Sequence, residues 1–135
     1  MIRNLLLFAV GAFALSLAPA VAEDKKEEKV PTVSEIMKKG HAGTMSFKAK
    51  IETSVKAEKW DDAKTPSDLL KAFGDDLGKN KVKKGDEDSW KKLTAGYAKI
   101  TADISAGVEK KDAKATTAAL GALGKSCKEC HSVHK

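Results

Sequence analysis

Leu120-Gly121-Ala122-Leu123-Gly124-Lys125-Ser126-Cys127-Lys128-Glu129-Cys130-His131 is the stretch on which the fold of this 135-residue sequence turns. Extended back to Ala113, the residues Ala113, Thr116, Leu120, Leu123, Cys127 and Cys130 step by three and four in alternation. That spacing marks one inward face of an α-helix. The only two cysteines of the chain continue the face, and a histidine follows the second. C-x-x-C-H is the attachment pattern of a c-type haem. Two thiols one helical turn apart can each form a thioether with a haem vinyl group, and the adjoining imidazole of His131 then lies under the iron as proximal ligand. Because the cysteines sit on the inward seam, the attached group is aimed at the interior rather than at solvent.

Other uses of these residues fit less well. A Cys-x-x-Cys redox pair is expected near a βαβ pattern, and no stretch of strand periodicity occurs. A zinc site drawn from Cys127, Cys130, His131 and His134 would crowd its ligands into one short segment, whereas structural zinc ligands come as two separated pairs. A disulfide closing a loop of two intervening residues would constrain almost nothing.

The sequence opens with Arg3 in a short polar region, an apolar run from Leu5 to Leu17, and Ala18-Pro19-Ala20-Val21-Ala22. This reads as a secretory signal peptide over residues 1–22, cleaved after Ala22, and the apolar run is short for a membrane span. It implies export across a membrane and no membrane attachment after cleavage. The formal charge of +6 falls to about +5 when Arg3 is lost with the leader. A basic surface suggests acidic partners. Nucleic acid is not expected as one, since the basic residues are not interleaved with aromatic ones. Residues 23–31 are rich in mixed charge and read as a disordered tail; residues 32–135 form one domain.

Thr32-Val33-Ser34-Glu35 is a capping box. Val33, Met37, Gly40 or His41, Thr44, Phe47, Ile51 and Val55 then predict a first helix of about six turns. Gly40 and Gly43 weaken it and would also let something bulky approach, as a haem would. Lys56 to Lys64 reads as a polar connection with Trp60 folded back. Thr65-Pro66-Ser67-Asp68 reads as a second helix start, with Leu69, Leu70, Phe73 and Leu77 as its stripe and Gly78 as its end. Gly78 to Gly85, with four lysines, is a loop. Asp86-Glu87-Asp88-Ser89 opens a third helix, whose seam is Trp90, Leu93, Tyr97, Ile100, Ile104 and Gly107 or Val108. Lys110-Lys111 turns the chain and Asp112 caps the last helix. The expected fold is all-α: an antiparallel up-and-down four-helix bundle carrying covalently bound haem c.

A C-x-x-C-H on the last of four helices resembles the class II c-type cytochromes, the cytochrome c′ group and its low-spin relatives. Ala119 to His131 is similar to that family's haem-helix pattern; the likeness is strong in this helix and weak in the first. The family commonly places an aromatic residue and an arginine after the motif, where this chain has His134 and Lys135. Lysine keeps the charge but not the planar fork of arginine. The resemblance implies a periplasmic protein with one haem c, anchored by Cys127 and Cys130 with His131 as proximal ligand. It acts as a single-electron carrier serving acidic redox partners if the iron is six-coordinate, and binds small gases such as nitric oxide if the distal side is open. Enzymatic turnover is not expected, because no acid–base constellation accompanies the motif. Members often dimerise through their first two helices, so the resemblance admits a homodimer.

In an up-and-down bundle the start of the first helix lies beside the end of the fourth. Met37 and His41 share a face of that first helix, four residues apart, so either can serve as sixth ligand. The resemblance favours Met37, whose place looks like the position that ligates in low-spin members, while His41-Ala42-Gly43 looks like a non-ligand His-x-Gly. His41 and an open site remain the alternatives.

Overall fold

The computed structural model describes residues 29–135. The expected leader, and residues 23–28 of the expected tail, lie outside the described residues. Among those described the chain is all-helical, with five helices and no strand: α1 (Val33–His41), α2 (Phe47–Lys56), α3 (Trp60–Leu77), α4 (Glu87–Glu109) and α5 (Ala113–His134). α4 packs along both α3 and α5, α2 lies against α3, and α1 touches α2 and α3.

Most helix ends fall where the side chains dictate. Thr32 and Glu35 close a reciprocal capping box: the Thr32 hydroxyl accepts from the Glu35 N–H at 3.2 Å, and the Glu35 carboxylate accepts from the Thr32 N–H at 2.8 Å. Asp112 accepts from the Ala115 N–H at 2.9 Å and caps α5 as expected, and Asp86, expected in an acidic first turn, instead caps α4 by accepting from the Ser89 N–H at 2.8 Å. Gly78 ends α3, and Lys110-Lys111 turns the chain with Lys111 in the left-handed region.

Two boundaries differ from the expectation. The six-turn first helix is broken into α1 and α2. Ala42 is extended, Gly43 takes a φ of +75°, and Ser46 starts α2 as its N-cap, accepting from the Ala49 N–H at 3.3 Å. Glycine adopts that φ at little cost, and the serine offers the chain a fresh set of caps. Thr44, expected on the seam, is therefore exposed, while Ile36, off the expected seam, is fully buried.

The second boundary is the start of α3, at Trp60 rather than Thr65. Pro66 lies inside this helix and cannot donate to the Asp62 carbonyl, but Asp62 is exposed, so water can take the vacant acceptor. Burial of Ala63 and partial burial of Trp60 favour the earlier start, and Asp61 and Asp62 suit the positive end of the helix dipole.

The core joins Ile36, Ile51, Leu70, Ile104 and Leu123, all fully buried, with Trp90, Tyr97 and Leu120. The seams of α4 and α5 hold for Trp90, Tyr97, Ile104, Val108, Thr116, Leu120 and Leu123. Leu69 is 43% exposed, so it leaves the expected α3 stripe. Thr101 and Thr116 are buried too, each donating to a carbonyl of its own helix turn or cap, Ala98 at 2.9 Å and Asp112 at 2.7 Å. Their hydroxyls occupy the space above glycines. A Cβ on Gly74 would lie 2.0 Å from Thr101 Oγ1, and one on Gly107 2.5 Å from Thr116 Oγ1. These glycine–threonine contacts set how closely α3 and α5 approach α4. Gly40 likewise meets the side chains of Phe73 and Leu70 of α3, so the approach it permits is that of a helix and not of a bound group.

Candidate cofactor pocket

A cavity of about 490 Å³ opens where α1, α4, α5 and the 78–86 connection meet. Val33 and Met37 line it from α1; Trp90, Leu93 and Tyr97 from α4; Cys127, Cys130 and His131 from α5. Lys81 and Lys83 of the connection and Lys135 add positive charge to its wall. Its volume falls within the range of about 300–1,000 Å³ typical of small-molecule and cofactor sites, as does a mainly apolar wall with a few polar groups.

The residues singled out by the motif converge here. Cys127 and Cys130 are free thiols, each half-buried, on the α5 face that lines the cavity. Burial raises the pKa of both, and the neighbouring Cys127 raises that of Cys130 further. This is opposite to the depressed thiolates of redox-active Cys-x-x-Cys pairs. His131 lines the cavity from an exposed position. The zinc alternative has no matching geometry: no group of three or more His, Cys, Asp or Glu side chains converges as a metal site among the described residues. The donor set and the wall fit a flat, largely apolar group held by two thioethers and one imidazole.

The two distal candidates are separated by the fold. Met37 is half-buried, packs on the core and lines the cavity. His41, one turn further along α1, is turned onto α4. Its Nε2 shares a hydrogen bond of 2.8 Å with the Tyr97 hydroxyl, and the rings meet edge-on with centroids 5.6 Å apart. His41 Nδ1 is buried with no partner. Burial, then the charges of Lys48 and His131, push its pKa from 6.5 down to about 4, so the ring is neutral at pH 7. Tyr97 is held well above its ordinary pKa, first by burial and then by Cys127.

His134 holds a place that the motif alone leaves undefined. Its Nδ1 donates to the Lys84 carbonyl at 2.6 Å, its Nε2 accepts from the Ser89 hydroxyl at 3.1 Å, and its ring meets Trp90 edge-on at 5.4 Å. Lys84 Nζ in turn donates to the Lys135 carbonyl at 2.8 Å. The last turn of α5 is thus tied to the lysine-bearing connection and to the start of α4. Gly85, at φ +83°, fits beneath the ring; a Cβ there would lie 2.6 Å from His134 Nδ1. The Trp90 indole N–H donates to the Asn80 carbonyl at 3.0 Å and fixes the other end of the connection.

Spacing gives Tyr97 and Trp90 as seam residues, and His134 enters the sequence reading only as a member of the disfavoured zinc set and as a departure from the family's pattern. Their polar partners lie beyond their own helix turns, 56 residues away for Tyr97 and His41, 50 for His134 and Lys84, and 10 for Trp90 and Asn80. The aromatic hydroxyl and indole N–H on an inward face were the available signals, because such groups need a partner when buried. Compared with known proteins, the chain matches no protein-family model, no curated protein and no solved structure. Among the described residues, no helix is long and apolar enough to cross a membrane.

Proposed function

We propose that this chain is a periplasmic mono-haem c-type cytochrome that carries single electrons, with the haem joined to Cys127 and Cys130. His131 is the proximal ligand and Met37 the distal one. In this reading α1 and α2 together take the place of one helix, and the five helices act as a four-helix bundle. The observation that carries the proposal is the single cavity lined by both thiols, His131 and Met37. The haem would supply a one-electron iron couple. The chain's own residues do the rest. Cys127 and Cys130 would fix the group to α5, so that it could not leave when the helices breathe. Val33, Leu77, Trp90 and Leu93, which line the cavity, would exclude water from a group held there. Lys81, Lys83 and Lys135 offer charge to acidic groups on the cofactor edge or on a partner protein. None of these residues forms an acid–base pair suited to turnover, so the proposed role is transfer and not catalysis.

The experiment has two stages. Protein made with a c-type maturation system should keep its colour through acid–acetone extraction and gain the mass of one haem, and Cys127→Ser/Cys130→Ser should lose it. Zinc on metal analysis with no haem overturns the reading. Met37→Ala should then turn a low-spin spectrum high-spin, while His41→Ala leaves it low-spin. The opposite pattern gives the distal role to His41. A wild type already high-spin at neutral pH removes both assignments and makes the protein a five-coordinate binder of small gases.

A further inference from the structure

We infer that Tyr97 is the ligand-selecting residue of this pocket: its hydroxyl latches His41 onto α4 and so leaves Met37 alone to face Cys127, Cys130 and His131. The inference rests on the proposed haem site and adds to it a reason why one of two available donors is used.

Met37 and His41 stand four residues apart on α1, so their Cβ atoms are about 6 Å apart and on one face. Both carry side chains that ligate haem iron. Nothing in their spacing prefers the thioether, and an imidazole is the stronger donor to ferric iron. The selection lies in what else each side chain touches. Met37 has no hydrogen bond to lose and lines the cavity. His41 does not line it, and is bonded at 2.8 Å to Tyr97, which does. The latch satisfies only half of the imidazole, since Nδ1 is buried without a partner. A buried nitrogen in that condition gains by finding one. His41 is therefore a reserve ligand whose only polar restraint is one hydrogen bond, beside the edge-on contact of its ring with Tyr97.

Tyr97 is well placed to hold it. It is 4% exposed, on the inward seam of α4, and its ring is fixed edge-on against His41. It touches the reserve ligand and not the motif's proximal histidine, so it acts as a positioning residue. Removing the hydroxyl while keeping the ring should raise the fraction of released imidazole by about fivefold, the effect of one ordinary net hydrogen bond.

The test uses the haem-loaded protein and reads ligation rather than activity. In Tyr97→Phe, the red charge-transfer band of methionine-bound ferric haem should weaken and the reduction potential should fall, since methionine ligation raises it. Tyr97→Phe/His41→Ala should restore the methionine signature, which separates ligand exchange from a loosened core. A second pair removes dependence on competition. Met37→Ala should be high-spin because His41 is latched, and Met37→Ala/Tyr97→Phe should return to low-spin. An unchanged band and potential in Tyr97→Phe, with Met37→Ala/Tyr97→Phe remaining high-spin, overturns the latch and leaves the Met37 assignment standing. A wild type with two histidine ligands overturns both.

Discussion

Acidification should unfold this protein partly through His41, by an amount that can be worked out. The folded state holds the ring neutral, with its pKa pushed from 6.5 to about 4 by burial and by the charges of Lys48 and His131. Between those two values the unfolded chain binds a proton that the folded chain refuses, so stability rises with pH across that window. The contribution is complete above pH 6.5, declines as pH falls, and stops declining once the folded state protonates near pH 4. At about 1.36 kcal/mol per unit, the loss relative to neutral pH is about 2 kcal/mol at pH 5 and about 3 kcal/mol at pH 4. For a protein of ordinary stability, about 5–15 kcal/mol, that is a large share. The assay is urea unfolding at pH 7, 6, 5 and 4 for wild type and His41→Gln. Glutamine does not titrate and can still bond the Tyr97 hydroxyl. Carboxylates common to both proteins cancel in the difference, which should narrow by about 2 kcal/mol between pH 7 and pH 5 as wild type loses its advantage. Parallel profiles, with the difference constant to about 0.5 kcal/mol, would mean that His41 is not held neutral in the fold and would refute the reasoning.

Four further outcomes rest on other contacts of the fold. Gly74→Ala should cost about 1–2 kcal/mol, because a Cβ 2.0 Å from Thr101 Oγ1 and 3.1 Å from the Ala98 backbone overpacks the α3–α4 contact by more than helix propensity returns. Gly96→Ala, with open space around its Cβ, should instead stabilise by about 0.5–1 kcal/mol, and thermal melts of the pair check both signs. His134→Ala should lose about 1–2 kcal/mol with its two hydrogen bonds and should raise amide exchange in residues 79–86; unchanged exchange there would show that the tie to Lys84 and Ser89 does not hold the connection. Electron-transfer rates with an acidic donor should fall steeply with added salt if the lysines of the connection and of α5 steer association, and a flat dependence removes that role.

Legibility in the sequence varied with the range of the interactions concerned. Thr32 with Glu35, Asp86 with Ser89 and Asp112 with Ala115 each act within three residues, so these helix starts were readable directly. The seams of α4 and α5 were readable for the same reason, since periodicity is a local property. The break after His41 is hidden because the spacing of apolar residues carries through it, although Gly43 and Ser46 hold the local signal for it. The start of α3 was missed because Pro66 is a strong local mark for a first turn, and burial of Ala63 by other helices overrode it.

By itself the sequence determined an all-helical chain with its motif cysteines and His131 at one end of an inward seam. Only the tertiary structure kept Met37 on the cavity wall and turned His41 away onto Tyr97, two residues that periodicity treats alike. It also decided that His134 ties the last turn of α5 to the lysine-bearing connection, and that Thr101 and Thr116 fill the space over Gly74 and Gly107. The physical reason is common to all four. A helix face follows from residues three and four apart, whereas a side chain's partner across a core is chosen by the packing of segments dozens of residues away.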